Sequence, residues 1–98
     1  PMLTRLVSRN VARLFGLHPR KGELTEGADA DFVLLDLTRR GRIDRMRMQS
    51  RSRDAARLWD GRETMGGIVA TYVRGTEVAR EGVPTAQPGH GNFIAGRS

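Results

Sequence analysis

The sequence has no cysteine, two histidines and one lysine among its 98 residues. The absence of cysteine excludes disulfides and thiolate metal sites, and it agrees with a reducing cytoplasm, the compartment that we expect. Aromatic residues are also few, at 5% of the chain, so a core must be built mainly from Leu, Val, Ile and Ala. A chain of this length buries roughly 65% of the surface that its unfolded form exposes, which predicts a single domain with a modest core.

Long apolar runs are absent as well. No stretch approaches the roughly 20 residues that a membrane-spanning helix requires, so no membrane partner is expected. The amphipathic, arginine-bearing start of the chain has the character of an organellar transit peptide, but its apolar positions also fit a helix folded onto a core, which is the interpretation we favour. Pro1 precedes Met2, which leaves both processing and a longer parent protein open.

The apolar residues at the start of the chain recur at spacings of three and four. This pattern predicts a helical segment from Leu3 to Phe15, either as one helix or as two short consecutive ones. Asn10 suits an N-cap that divides the two, and Gly16 suits a left-handed residue that ends the segment.

The later part of the chain is typical of β-structure. An apolar run with β-branched and aromatic members predicts a strand from Asp31 to Leu37, and residues 38–67 are expected to be mostly irregular. Two β-type runs that meet at Arg74-Gly75 predict a hairpin from Ile68 to Arg80. We therefore expect a mainly β fold with a short N-terminal helical segment, in which strand and hairpin share one mainly antiparallel sheet and the helix packs beside it.

The tail VPTAQPGHGNFIAGRS is rich in proline and glycine and predicts irregular chain, with Phe93 and Ile94 in contact with a surface. Its PGHGNF stretch and the earlier GRETMGG are rich in glycine. Both lack the strand–loop–helix context and the Lys-Ser/Thr ending of a phosphate-binding loop.

Side chains that can carry chemistry are sparse. His18 and His90 have no partner at metal-ligand spacing, so exposed loop positions are the expected outcome. Asp29 and Asp31 form a pair of carboxylates, but an Asp near a glycine at a strand entrance commonly bonds its own backbone, which favours a structural role over acid–base catalysis. No catalytic, cofactor-binding or metal-ligating residue is predicted.

The net charge of +6 is concentrated in residues 39–57, which hold eight arginines and two aspartates. Such a run can neutralise phosphates, but only Trp59 lies near enough to stack on a base, so no specific binding of nucleic acid is expected. Arginine runs more often form a solvated surface or contact acidic residues of a neighbouring chain. The alternative function is a free-standing basic module that binds nucleic acid or an acidic protein.

Residues 8–36 read SRNVARLFGLHPRKGELTEGADADFVLLD. This stretch resembles the C-terminal region of the cyclic amidohydrolases, the group of dihydroorotase, allantoinase, hydantoinase and dihydropyrimidinase, whose pattern is S-x-N-P-A-x-x-F-G-L, then P-R-K-G, then G-x-D-A-D-L-V-L-x-D. VATYVRGTEVAREG is similar to the late hairpin of that family, and PGHGNF to its P-G-x-G-x-F tail. Val11 replaces the usual proline, and residues 51–59 match the S-P-F/Y-x-G stretch poorly, although Asp60-Gly61 is retained.

The resemblance implies a parent enzyme with a metal-bearing (β/α)8 barrel and a small β-sandwich assembled from both chain ends. The binuclear zinc or similar divalent-metal centre of such enzymes uses a His-x-His pair, a carboxylated lysine, two more histidines and an aspartate, all N-terminal to the matched region. Residues 1–17 then correspond to the end of the barrel region, and residues 18–98 to sandwich strands, hairpin and tail.

The function implied is that of a C-terminal scaffold of a hydrolase of cyclic amides, without its own catalytic centre. The expected partners are the missing barrel portion or further copies of this chain, bound through an exposed sheet edge.

Overall fold

The computed structural model describes residues 2–96, and its first element is a continuous helical segment. Two α-helical parts, α1 (Met2–Thr4) and α2 (Asn10–Leu14), flank a π-helical turn at Arg5–Arg9. Asn10 has helical dihedral angles, and its N–H donates to the carbonyl of Arg5. The prediction that Asn10 caps a second helix is therefore wrong, because its N–H is already hydrogen-bonded within the preceding helical turn.

The end of the helical segment confirms the sequence prediction. Gly16 has φ of +69°, in the left-handed region that glycine adopts without steric cost. The N–H groups of Leu17 and His18 both donate to the carbonyl oxygen of Ala12, at 2.8 and 3.2 Å. The chain then leaves the helix through the connecting segment, residues 15–31.

Among residues 2–96, four antiparallel strands form one sheet in the order β1-β2-β3-β4. They are β1 (Phe32–Arg42), β2 (Glu63–Val73), β3 (Thr76–Arg80) and β4 (Val83–Pro84). The mainly β fold is confirmed, as is the hairpin of β2 and β3. The two positive φ values in the hairpin turn, 49° at Arg74 and 77° at Gly75, are those that a two-residue turn between twisted strands requires.

The sheet extends further than the sequence predicted. Residues 38–42 and 63–67 were expected to be irregular, yet Arg40 pairs with Met65 and Arg42 with Glu63. The pairing rests on backbone hydrogen bonds, which do not need apolar side chains when both faces of the strand ends are exposed to water. The tail also begins with the short strand β4, contrary to the prediction of a wholly irregular tail, because residues 83–84 follow a tight turn after β3.

Residues 43–62 form an excursion between β1 and β2. They contain two short 3-10 turns, at Arg45–Arg47 and Arg53–Leu58. The base of the excursion is closed by two backbone hydrogen bonds, from Ile43 to Arg62 and from Gly61 to Ile43, at 2.9 and 2.7 Å. The expectation of irregular chain is confirmed for this inner part.

The helix does not pack on the sheet, so that prediction is wrong. Within residues 2–96 no helix Cα atom lies within 8 Å of a strand Cα atom. The connecting segment packs against the helix instead: a Cβ atom built on Gly22 would lie 3.2 Å from the Ser8 carbonyl oxygen. The apolar side chains of the helix therefore remain uncovered.

The described residues bury few of their apolar side chains. Ala12 and Ala70 are its buried apolar residues, whereas Leu6 is 56% exposed and Leu14 80% exposed. The accessible surface is 8136 Å², against about 5,600 Å² for a compact monomer of this mass. The radius of gyration is 15.3 Å, against about 12.6 Å for a compact chain of this length. These values indicate an open structure that leaves much apolar surface exposed to water.

Candidate functional site

The densest set of charged side chains lies where the helix, the connecting segment and the hairpin meet, and we call it the charged junction. At its centre, Lys21 Nζ lies 2.9 Å from an Asp29 carboxylate oxygen and 2.5 Å from Asp31 Oδ2. Arg20 Nε donates to the same Asp29 carboxylate at 2.9 Å. The two carboxylates are brought together because Asp29 and Asp31 precede β1 in an extended chain.

These contacts shift the pKa values of all three central groups. Hydrogen bonds from Lys21 and then Arg20 lower the pKa of Asp29 below its usual range. Burial alone would raise the pKa of Asp31, but the hydrogen bonds from Lys21 and the Arg74 backbone outweigh it and lower this pKa. Burial also opposes the charge of Lys21, yet the two carboxylates outweigh it and raise the pKa of Lys21. All three groups are therefore charged at neutral pH.

The junction reaches the hairpin and the tail. The backbone N–H of Arg74 donates to Asp31 Oδ1 at 2.9 Å, and the N–H of Gly75 donates to the carbonyl of Ala30 at 2.9 Å. The Arg74 guanidinium donates to the carbonyl oxygen of His90. The His90 ring Nε2 lies 3.2 Å from the carbonyl oxygen of Val73. The tail is thus held to the β2–β3 turn by His90.

On the helix side, the Glu23 carboxylate contacts the His18 ring and the Arg9 guanidinium. His18 Nε2 lies 2.7 Å from Glu23 Oε1, and Arg9 Nε lies 2.9 Å from Glu23 Oε2. The Arg9 Nε is buried and forms no well-directed hydrogen bond, so its contact with Glu23 is an ion pair without a hydrogen bond. The hydrogen bond with His18, and then the charge of Arg9, lower the pKa of Glu23 below its usual range.

Both histidines lie in loops, as predicted, but the prediction that they are exposed is wrong. His18 and His90 are half-buried, because each ring is packed against the acceptor that it contacts. Asp29 and Asp31 bond neighbouring cations and the hairpin backbone rather than their own turn. The sequence analysis did not identify Lys21 as the partner of the two aspartates. The signal that could have indicated it is that Lys21 is the single lysine beside sixteen arginines.

The charged junction can fix orientation, but its carboxylates are not free to accept a proton from a substrate. A general base needs an available lone pair near the reacting group, and here Lys21 and the Arg74 N–H occupy the carboxylate oxygens. Residues 2–96 contain no group of three or more His, Cys, Asp or Glu side chains that could hold a metal ion. No helix among these residues is long and apolar enough to cross a membrane.

The arginine-rich segment is partly neutralised within the chain. Arg39 binds both carboxylate oxygens of Glu81, at 2.5 and 3.0 Å, and Arg42 lies 3.0 Å from Glu63. One face of the Trp59 ring is covered by the Arg62 guanidinium, 4.7 Å from the ring centroid. Within residues 2–96, the side chains of Arg40, Arg51, Arg53 and Arg57 form no ion pair or side-chain hydrogen bond. These contacts give the basic-module alternative no support.

Comparison with known proteins places this architecture in one family. A model described as the amidohydrolase family matches residues 2–79. The chain is 38% identical over 96 residues to the L-hydantoinase of Paenarthrobacter aurescens, covering 98% of this chain and 20% of that protein. It is 35% identical over 89 residues to the D-phenylhydantoinase of Escherichia coli strain K12, covering 91% of this chain and 19% of that protein.

Comparison with solved structures gives the same family. The L-hydantoinase (dihydropyrimidinase) from Arthrobacter aurescens superposes with a TM-score of 0.86 at 35% identity, over 95% of this chain and 20% of that one. The D-hydantoinase (dihydropyrimidinase) from a Thermus species gives a TM-score of 0.73 at 34% identity, over 87% of this chain and 18% of that one. The chain thus spans about a fifth of the length of these relatives. It belongs to the amidohydrolase family, in the cyclic amidohydrolase group that contains the hydantoinases and dihydropyrimidinases.

Proposed function

We propose that this chain is the C-terminal scaffold part of a hydantoinase- or dihydropyrimidinase-type cyclic amidohydrolase, an enzyme that hydrolyses the C–N bond of a cyclic amide. The catalytic centre then lies in the portion of such a protein that these residues do not match. The observation that carries the proposal is the uncovered surface. A chain whose fold superposes on a fifth of an enzyme exposes roughly 2,500 Å² more than a compact monomer would.

The helix supplies the main apolar contact in this proposal. Leu3 is 65% exposed, Leu14 80% and Phe15 63%, although side chains of this type are normally covered. Burying them against a larger domain stabilises both parts by the hydrophobic effect. The resemblance to the family assigns this helix to the end of the barrel, so the rest of the barrel would supply the surface that covers it.

The charged junction supplies rigidity. Arg9 and His18 bind Glu23 of the connecting segment, while Asp31 binds Lys21 and the hairpin backbone at Arg74. The Arg9–Glu23 ion pair and the contacts of Asp31 connect the helix to the sheet through the connecting segment, without direct packing between helix and sheet. A scaffold of this kind must keep the orientation of the sheet relative to the barrel constant, and these contacts would do so.

The residues present do not fit the binuclear metal centre that the family resemblance implies. Such a centre needs several converging histidine and carboxylate donors, and residues 2–96 bring no three of these together. The ammonium of Lys21 also lies between Asp29 and Asp31, where its charge repels a divalent cation. We therefore derive no catalytic step from this chain.

A chimera tests the proposal. The fifth of Paenarthrobacter aurescens L-hydantoinase that this chain matches is replaced by residues 2–96, and the product is assayed for bound metal and for hydantoin hydrolysis. We expect a soluble chimera that binds metal and retains hydrolysis. A matched chimera carrying Leu14→Lys should lose solubility or metal, because the charge lies on the face assigned to the barrel. A folded first chimera without metal or activity, or turnover by residues 1–98 alone, would contradict the scaffold role.

A further inference from the structure

The C-terminal tail runs from the sheet back to the end of the helix. After β4, the N–H groups of Thr85 and Ala86 both donate to the carbonyl oxygen of Val78, at 2.8 and 3.4 Å. Residues 90–96, which we call the strap, then pass from the β2–β3 turn to the helix and contain no helix or strand of their own. A terminal segment of this kind keeps a fixed path only where specific contacts hold it.

At the hairpin, the strap is held by a reciprocal pair of hydrogen bonds, which we call the clasp. The His90 ring Nε2 lies 3.2 Å from the carbonyl oxygen of Val73, and the Arg74 guanidinium donates to the carbonyl oxygen of His90. Since a carbonyl oxygen only accepts, Nε2 carries the hydrogen in this contact. Both side chains are half-buried, and partial exclusion of water strengthens such bonds. Each chain segment therefore bonds the backbone of the other through a side chain.

At its other end, the strap lies against the end of the helix. A Cβ atom built on Gly96 would overlap the carbonyl oxygen of Phe15, so glycine permits an approach that a larger residue would prevent. Phe93 and Ile94 line a cavity of about 260 Å³ together with residues 16–20. Ile94 is half-buried there, whereas Phe93 is 94% exposed. The predicted contact of the tail with a surface is therefore confirmed for Ile94 and wrong for Phe93.

We propose that the strap is a conformational restraint, which fixes the orientation of the helix relative to the sheet in addition to the charged junction. Within residues 2–96 helix and sheet do not pack directly on each other, so this orientation depends on the segments that connect them. The charged junction connects them through the connecting segment. The strap supplies a second connection, from Arg74 through His90 to Phe15. A second attachment closes a loop and so restricts the orientations open to the helix.

The inference uses contacts within the chain alone and does not depend on the proposed function. Distances between two spin labels, measured by pulsed electron paramagnetic resonance, test it. Because the chain has no cysteine, Arg5→Cys on the helix and Thr76→Cys on the hairpin give two unique labelling positions, and both are exposed. In a doubly labelled chain diluted with unlabelled chain, we expect a narrow distribution of distances.

The helix end of the strap is tested by adding side chains at two glycines. Gly96→Val should displace the strap from Phe15 and broaden the distance distribution about twofold. Gly91→Val is the matched control, because a Cβ atom on Gly91 would meet nothing within 4 Å, and it should leave the width unchanged. Circular dichroism checks that each variant is folded.

The clasp is tested at His90. His90→Phe keeps an aromatic ring but removes the hydrogen-bond donor, so it should broaden the distribution as Gly96→Val does. His90→Gln keeps a donor near the position of Nε2 and should preserve the narrow distribution. Narrow distributions in both Gly96→Val and His90→Phe would overturn the proposal, because the charged junction alone would then fix the helix. A broad distribution in the unaltered strap would overturn it as well.

The His90 ring also gives a reading that needs no variant of the strap. In the clasp, its Nε2–H is bonded and half-buried, so this proton should exchange with water slowly enough to give a resolved signal in a nitrogen-correlated NMR spectrum. His90→Gln should remove the signal and so assign it. A His90 N–H that exchanges as freely as that of an exposed histidine would contradict the clasp and with it the strap.

Discussion

A Cβ atom built on Gly22 would lie 2.5 Å from the Cβ atom of Ala12. Ala12 is 5% exposed, and its carbonyl oxygen accepts the two hydrogen bonds that end the helix. The connecting segment therefore passes against the helix where neither has room for another methyl group. This contact, together with the charged junction, sets the position of the helix.

Replacing Gly22 with alanine should destabilise the protein more than replacing Gly27 does. Both glycines have positive φ, +102° and +87°, but a Cβ atom on Gly27 would meet nothing within 4 Å. Backbone strain costs about 1–2 kcal/mol at either position, and overpacking against Ala12 should add about 1–3 kcal/mol at Gly22 alone. Urea denaturation measures both variants, and equal losses would show that the helix moves freely away from the connecting segment.

Removing the ammonium at the centre of the charged junction is a second test. Lys21→Met should lower the free energy of unfolding at pH 7 by about 1–2 kcal/mol, because its two charge-assisted hydrogen bonds are only partly shielded from water. Arg20→Met is the matched control, since Arg20 also binds Asp29 but its side chain is 55% exposed. Arg20→Met should lower the free energy of unfolding by less than Lys21→Met does. The Lys21→Met deficit should shrink as the pH falls through the lowered pKa values of Asp29 and Asp31, and a deficit independent of pH would indicate lost packing instead.

Acid should destabilise the chain through the same carboxylates. The pKa values of Asp29 and Asp31 lie below the usual range in the folded state, so folding favours their charged forms. Their contribution is present above the unfolded pKa of about 3.9 and is lost as the pH falls through the lower folded values. Urea midpoints from pH 7 to pH 2 should stay level to about pH 5 and then fall. Asp29→Asn should give a shallower fall, and an unchanged slope would remove Asp29 from the linkage.

Features that depend on neighbouring residues in the sequence, such as turns and the first strand, were predicted correctly. Gly16 and Gly75 have the left-handed φ values that their turns require, and the apolar run before residue 38 is a strand. The sequence did not predict that Asp31 binds the backbone of Arg74, 43 residues away, because such a partner is chosen by folding and not by spacing. The helix prediction failed for another reason: its apolar face indicates burial, but no surface within residues 2–96 covers it.

Binding of the arginine-rich segment to nucleic acid should be weak and insensitive to sequence. Among the described residues, the side chains of Arg40, Arg51, Arg53 and Arg57 form no ion pair or side-chain hydrogen bond. Phosphate contacts by such arginines position a protein without reading bases. Fluorescence anisotropy with two duplexes of different sequence should give equal affinities that fall steeply as salt rises. Arg51→Ala should reduce the salt slope, whereas Arg39→Ala should change it less, because Arg39 is held by Glu81. A sequence-selective complex at physiological salt would support the basic-module alternative.

The purified chain should neither hydrolyse a cyclic amide nor hold a catalytic metal. Hydrolysis by this family requires water activated by bound metal, which lowers the pKa of that water to about 7. The ring of His18 is held by Glu23 and that of His90 by the carbonyl of Val73, so neither is placed to join a ligand set. Metal analysis should find less than stoichiometric zinc, and a screen of hydantoin, dihydrouracil, dihydroorotate and allantoin should give no turnover above buffer. The chimera with L-hydantoinase is the positive control for assay conditions. Stoichiometric zinc accompanied by turnover that a chelator abolishes would refute the scaffold role, because the chain would then supply a centre of its own.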